Sequence, residues 1–122
     1  MWDKRARIPS NHDGDTLTAV LDQGFGETQQ IIVRMFGVFA PELSQVGGPE
    51  TRDFVTAWVA QYAGTLAWPF IVTTIRTPRS DIEVETFGRY VCVVETLDHE
   101  HNLNLEAQAF VTDHGYGGGT GS

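Results

Sequence analysis

Two carboxylates and two guanidinium groups stand at spacings that could act together on a phosphate ester. Asp15 completes an Asp-Gly-Asp triplet, Arg34 lies in an apolar run, Glu42 follows Ala-Pro, and Arg89 follows Phe-Gly. Guanidinium groups hold phosphate oxygens through paired, charge-assisted hydrogen bonds, and carboxylates bind hard cations or take a proton from water. Because an unpaired charge is costly within an apolar strand, Arg34 is expected to lie beside Asp15 or Glu42. The four side chains therefore favour phosphodiester chemistry.

The segments around these residues resemble the staphylococcal-nuclease (thermonuclease-like) family. The resemblance extends from near Arg5 to near Gly115, and its motifs occur in order at residues 13–16, 33–42, 48–50 and 87–89. It implies a five-stranded OB-fold barrel with two or three helices, an α+β fold whose faces bind oligonucleotides or oligosaccharides. It also implies a metal-dependent endonuclease that hydrolyses phosphodiester bonds in DNA or RNA.

The resemblance gives a role to each matching residue. Arg34, Glu42 and Arg89 are the implied catalytic residues, since the two arginines would clamp the phosphate and the glutamate would orient or deprotonate the attacking water. The implied metal ligands are Asp15 and the backbone carbonyl of Ala40. Calcium is the implied cofactor, and the implied product carries a 3′-phosphate.

Phe39 departs from this pattern, because members of the family usually place an aspartate there as a second metal ligand. A phenylalanine cannot replace a charged ligand, so calcium is expected to bind weakly. Magnesium could serve instead, because it keeps several waters and needs fewer protein ligands. Asp13 is otherwise expected to shape the turn, but Asp13 or Glu42 could also take the place of the missing carboxylate.

Two functions of different classes remain open. One is an endonuclease with an altered metal site, and the other is a catalytically inactive barrel that serves as a structural or assembly module, for instance in a phage virion. A barrel that binds nucleic acid without cutting it is a third. The net charge is −8, from eight Lys/Arg and sixteen Asp/Glu. This acidity disfavours the third function, because nucleic-acid binders usually present a basic field.

The expected partners follow from these alternatives. An active chain would bind nucleic acid, and an inactive one would bind another protein or a second copy of itself. No apolar run approaches the roughly 20 residues of a membrane span, so no membrane partner is expected. The N-terminal residues lack the apolar core of a signal peptide, which predicts a cytoplasmic or virion-associated protein.

Periodicity and turn chemistry predict the elements that must position the site. Alternating β-branched and apolar residues predict strands at residues 16–21, 30–38, 70–76 and 89–95. Apolar residues at the helical period predict helices from Pro49 until Gly64 and over residues 103–114. An earlier extended segment contains Pro9, which places it at a sheet edge. This order predicts a small closed barrel with a helix across one end.

The rest of the chain carries fewer signals. The predicted domain covers residues 1–115, and the glycine-rich residues 116–122 are predicted to form a flexible tail. Cys92 is the only cysteine, which excludes an internal disulfide and favours a small buried side chain. Trp2 is predicted to cap an open barrel edge or to dock on a partner. A polar, acidic turn at residues 98–101 contains two histidines, and we interpret it as structural or solvated and not as a metal cluster.

Overall fold

Five strands and two helices make up the part of the chain that the computed structural model describes, residues 2–76 and 89–116. Their bounds are β1 Asp3–Asn11, β2 Thr16–Gly24, β3 Glu27–Met35, α1 Gly48–Ala63, β4 Phe70–Arg76, β5 Arg89–Thr96 and α2 Leu103–Asp113. The strands form a closed barrel in the order β1-β2-β3-β5-β4. This confirms the predicted fold class, an OB-fold-like α+β barrel with five strands. The side chains of Arg76 and Arg89 and the predicted tail at 117–122 lie outside the described residues.

The barrel closes because β1 pairs on both of its sides. It runs antiparallel to β2 and to β4, and its register against β2 shifts between Arg7 and Ser10. Pro9 lies inside this irregular stretch, where a missing backbone donor is tolerated. Pairing with β4 covers residues 3–6 only, so Pro9 lies where β1 has β2 as its single neighbour, and the edge position predicted from Pro9 holds locally although the barrel is closed. The remaining closure is the pairing of β3 with β5, which is parallel.

A two-residue turn joins β2 and β3 into a long hairpin. Phe25 and Gly26 have φ angles of 54° and 77°. Positive φ at both central residues gives the turn the twist that a hairpin requires. Both strands extend further toward this turn than the apolar pattern predicted. The pattern missed the start of β3, because residues 27–30 are polar and exposed and do not alternate with apolar residues. The ends of the hairpin therefore extend past the buried core.

Alternate residues on each strand point into the barrel and form its core. The buried apolar positions on the strands are Ala6, Ile8, Leu17, Ala19, Leu21, Ile31, Val33, Met35, Phe70, Val72, Cys92 and Val94. Cys92 is fully buried, as predicted. Burial raises the pKa of its thiol to about 12, so the thiol stays protonated and serves as a small apolar side chain.

The two helices pack together at the end of the barrel where β1 ends and β2 begins. Stacking of Phe54 on Phe110, with ring centroids 4.6 Å apart, joins α1 to α2. The side chain of Asn11 donates a hydrogen bond to the carbonyl of Arg52 (3.1 Å), which joins β1 to α1. On α2, Asn104 is buried and bonds to backbone groups of two other segments. No helix in the described residues is long and apolar enough to cross a membrane.

Candidate functional site

Asp15 and Arg34 meet on the outer face of the β2–β3 hairpin. Thr16 lies opposite Arg34 in the ladder, and the N–H of Met35 donates to the carbonyl of Asp15 (2.8 Å). This pairing fixes the backbone of Asp15 at the start of β2. Nη2 of Arg34 then lies 3.9 Å from Oδ2 of Asp15, and the two side chains are 43% and 15% exposed. The expected partner of the arginine within the strand is therefore Asp15.

The turn that carries Asp15 is held by its own side chains and by close packing. Oδ1 of Asp13 accepts the N–H of Asp15 (3.0 Å), and the Thr16 hydroxyl donates to Oδ1 of Asp15 (3.1 Å). A Cβ at Gly14 would lie 2.5 Å from Cγ2 of Thr51 and 2.7 Å from Cβ of Ala40. The turn therefore requires glycine here, and Asp13 shapes it as predicted. The contact with Thr51 on α1 carries no signal in the sequence.

Burial makes the carboxyl group of Asp15 hard to ionise. Its pKa rises from the ordinary 3.8 to about 6, chiefly because burial disfavours the charged form, and the hydrogen bond and negative charge of Asp13 add to the rise. The positive charge of Arg34 and the hydroxyl of Thr16 lower the pKa, but by less. The guanidinium of Arg34 therefore does not offset the effects of burial and of the neighbouring Asp13 on Asp15. A cation would relieve this imbalance.

The segment after β3 returns to the same region. Ala40 packs on Gly14, and a Cβ at Gly48 would lie 2.0 Å from the carbonyl oxygen of Glu42. Gly48 and Thr51 are three residues apart at the start of α1 and share one face of it. The Asp15 turn and the backbone of Glu42 therefore contact adjacent positions of one helical turn. The Glu42 side chain is exposed, and in the described part of the chain it has no cationic partner within 4.0 Å.

Phe39, at the position where the resemblance expects an aspartate, lies on the surface. Its ring is 49% exposed, so it neither fills the core nor is enclosed by the site. Its backbone N–H donates to Oε1 of Gln108 on α2 (2.8 Å). Phe36, three residues earlier, and Leu105 on α2 are also exposed. The loop after β3 thus presents apolar side chains beside α2.

Arg89 begins β5, and the structure describes its backbone alone. Its Cα pairs with Ile32 in the parallel ladder, and Val91 pairs with Arg34. Arg89 is therefore placed on the strand next to Arg34, two residues away from it in register. The side chain of Arg89 and the preceding residues 87–88 lie outside the described residues.

The donors at this site fit a loosely held hard cation better than a caged calcium ion. Within residues 2–76 and 89–116, no three acidic, histidine or cysteine side chains come together in a metal-binding arrangement. Calcium takes six to eight oxygen ligands, whereas magnesium keeps most of its waters and uses one or two carboxylates. The carboxylates of Asp15 and Asp13 and the carbonyl of Ala40 are the oxygens available in this region. So small a set could give a cation one or two carboxylate contacts and not the six to eight oxygens of a calcium cage.

The histidines of the turn after β5 engage different neighbours. His99 lies 3.3 Å from a carboxylate oxygen of Glu95, and His101 lies 3.2 Å from one of Glu106. The ring of His101 also stacks on Tyr62 at 4.4 Å between centroids. Each histidine thus has its own carboxylate, and this arrangement supports the structural interpretation.

No protein-family model matches the sequence, and no curated protein is significantly similar to it.

Proposed function

We propose that this chain is a metal-dependent nuclease that cleaves phosphodiester bonds in DNA or RNA at the outer face of the β2–β3 hairpin. The observation that carries the proposal is the placement of Asp15, a partly buried carboxylate whose pKa is raised by burial, 3.9 Å from the half-exposed guanidinium of Arg34. Perturbed carboxyl groups beside a specific charged partner are typical of functional sites. The motif order of the sequence adds weight to this choice.

Arg34 is suited to binding a phosphate. In the described part of the chain its side chain makes no hydrogen bond, and its only ion pair is the long one with Asp15. Its N–H donors therefore remain available for phosphate oxygens, in the bidentate geometry that arginine provides. Asp15 would orient the guanidinium while sharing a cation with its neighbours. We propose Arg89, on the adjacent strand, as the second phosphate contact.

A bound divalent cation would polarise the phosphate and favour formation of a nucleophilic hydroxide. We propose that Asp15, with the carbonyl of Ala40, holds this ion, with Mg²⁺ a better fit than Ca²⁺ for so few protein oxygens. The exposed carboxylate of Glu42 would take the proton of the attacking water. The backbone contact of Glu42 with α1 limits where that carboxylate can reach.

Cleavage of labelled single-stranded DNA and RNA tests the proposal. Purified protein should produce 3′-phosphate ends with Mg²⁺, Mn²⁺ or Ca²⁺, and Arg34→Ala should lower the rate by about 10²-fold or more, since a transition-state donor is lost. Arg52→Ala is the matched control, because Arg52 is an arginine with a local partner, Asp53, on α1. Absence of product with every metal, or equal rates in Arg34→Ala and Arg52→Ala, would contradict the nuclease proposal.

A second candidate is an inactive assembly module, for instance in a virion. The exposed side chains of Phe36, Phe39 and Leu105, 51%, 49% and 70% exposed, favour it. Apolar side chains near one another on a surface are typical of protein interfaces. Under this candidate the chain should sediment as an oligomer, and Phe39→Ser should dissociate it. Val46→Ser, at an 85% exposed site elsewhere, is the control, and a monomeric native chain would argue against the module.

A further inference from the structure

The barrel has a mouth at the end opposite the two helices. We use this name for the inward-facing ends of β1, β2, β3 and β5, which enclose a cavity of about 140 Å³. Its floor is the apolar pair Leu21 and Ile31, 2% and 5% exposed. The outward-facing Asp15 and Arg34 lie toward the other end of the same hairpin. Mouths of β-barrels are recurrent ligand sites.

Two aromatic rings form a wall of the mouth. The centroids of Trp2 and Tyr90 lie 6.0 Å apart with their planes at 61°, and both residues are half-buried. The main chain of Trp2 is fixed by Thr74, which donates from its N–H to the Trp2 carbonyl (2.8 Å) and accepts the Trp2 N–H at its hydroxyl (2.7 Å). A fixed indole beside a phenol ring is a surface on which a flat ring can stack.

The rim of the mouth offers amide N–H donors, an amide oxygen acceptor and one positive charge. Nε2 of Gln23 donates to Oε1 of Gln29 (2.7 Å). In the described part of the chain, this bond leaves Oε1 of Gln23 and Nε2 of Gln29 without partners. Lys4, the chain's single lysine, also lines the cavity. It has no carboxylate within 4.0 Å among residues 2–76 and 89–116.

We propose that the mouth binds one nucleotide, either free or at the end of a single strand. Its base would stack on Trp2 and pair its donor and acceptor edge with the two glutamine amides, and Lys4 would hold its phosphate. The cavity is smaller than the roughly 300–1,000 Å³ of pockets that enclose larger ligands, so it accepts one ring. Lys4 disfavours cationic ligands. This site goes beyond the nuclease proposal, because it faces the barrel interior.

Titration by NMR with nucleoside 5′-monophosphates tests the site. The indole N–H signal of Trp2 should shift in a saturable way, and those of Trp58 and Trp68 should not. The matching nucleosides and inorganic phosphate should each bind at least about tenfold more weakly than the monophosphate. The nucleosides lack the phosphate that Lys4 would hold, and inorganic phosphate lacks the base that would stack on Trp2. A phosphorylated tetranucleotide that binds as tightly as the monophosphate would assign the site to strand ends as well.

Two substitutions that each add one negative charge give the matched comparison. Gln29→Glu places a carboxylate at the mouth and removes its free donor, so affinity should fall at least about tenfold. Gln30→Glu adds the same charge to the neighbouring residue, which does not line the cavity, and should change affinity less than about twofold. Equal losses in the two variants would overturn the proposal. An unmoved Trp2 signal at about 10 mM of every nucleotide would do so as well.

Arg34→Ala separates this site from the nuclease proposal. The variant removes the outer-face guanidinium and should leave nucleotide binding at the mouth intact. Loss of the Trp2 shift in Arg34→Ala would place the ligand at the outer face and overturn the inference. Retained binding together with absent cleavage would leave the mouth site standing and the nuclease proposal contradicted.

Discussion

Gly48 lies so close to Glu42 that a Cβ at Gly48 would meet the Glu42 carbonyl oxygen at 2.0 Å. Gly14 makes a similar approach to Thr51, one helical turn further along α1. The start of α1 therefore receives two chain segments that carry candidate site residues. Neither contact could be made with a larger residue in place of the glycine.

Gly14→Ala should lower the free energy of unfolding by about 1–3 kcal/mol, because the added methyl group overlaps Cγ2 of Thr51 and Cβ of Ala40. Urea denaturation at neutral pH measures this loss. Thr51→Ser removes Cγ2 and keeps the hydroxyl that donates to Gly47 (2.7 Å). The double variant should therefore recover part of the stability lost in Gly14→Ala. Strictly additive losses would show that the clash is not with Thr51.

Asp15→Asn should reduce the pH dependence of stability between about pH 4 and 6. The folded-state pKa of Asp15 lies near 6 and the ordinary value is 3.8. The native state thus binds more protons than the unfolded state in this range, and stability falls as pH rises through it. The full difference between these two pKa values corresponds to roughly 3 kcal/mol. Above pH 6 it lowers the free energy of unfolding.

Urea denaturation of wild type and Asp15→Asn at pH 4, 5, 6 and 7.5 checks this prediction. The stability of the variant relative to wild type should increase with pH and level off above the pKa of about 6. Asp22→Asn, the same substitution on strand β2, is the matched control for the loss of a carboxylate. A constant difference between Asp15→Asn and wild type at all four pH values would contradict the raised pKa.

The closed barrel and the hairpin that carries the site were largely predictable, whereas the conformation of the hairpin turn and the individual strand pairings that close the barrel were not. The alternation of β-branched and apolar residues over 16–21 and the apolar run before Gly37 predicted both strands, and the cost of an unpaired charge in an apolar strand predicted Arg34 beside Asp15 or Glu42. The predicted strands at 16–21 and 30–38 left the position and type of the turn between them open. Phe25 occupies a positive-φ position, which phenylalanine rarely does.

Other features depend on contacts between distant segments. The bulge that accommodates Pro9 depends on how β1 pairs with β2 between Arg7 and Ser10. The raised pKa of Asp15 arises from burial, and part of that burial comes from packing of its turn against α1. No local pattern of residues encodes either one. The mouth was also missed, because its polar residues look like ordinary exposed strand ends until the barrel brings them together.

Phe39→Asp should strengthen binding of calcium if the outer-face site holds a metal. The position is 49% exposed and is anchored through its backbone N–H, so the substitution should leave the fold intact. Calcium at millimolar concentration should then raise the melting temperature of the variant, because a ligand that binds the native state stabilises it. Phe36→Asp, at a similarly exposed phenylalanine, is the control. Equal calcium effects in the two variants would argue against metal binding beside residue 39.

Asn104→Ala should lower the free energy of unfolding by about 3 kcal/mol or more. The buried Asn104 side chain accepts the N–H of Val94 and donates to the carbonyls of Phe36 and Cys92, each at 2.9 Å. Its removal takes a partner from three backbone groups, of which the Cys92 carbonyl still accepts the N–H of Phe36 (2.9 Å). Asn102→Ala loses a single N-cap bond to the N–H of Leu105 and should cost about 1 kcal/mol. Equal losses by urea denaturation would contradict the bridging role of Asn104.

The antiparallel pairing of Thr16 with Arg34 has a consequence for the order of folding. This pairing lies within a hairpin of two consecutive strands. Closure of the barrel, by contrast, requires β1 to pair with β4 and β3 to pair with β5, which are distant in the sequence. Chain entropy favours the local pairing first, so we expect Asp15 and Arg34 to meet while both are still hydrated. Burial of Asp15 follows when α1 docks on Gly14. Proton uptake by Asp15 at mildly acidic pH should therefore mark a late stage of folding.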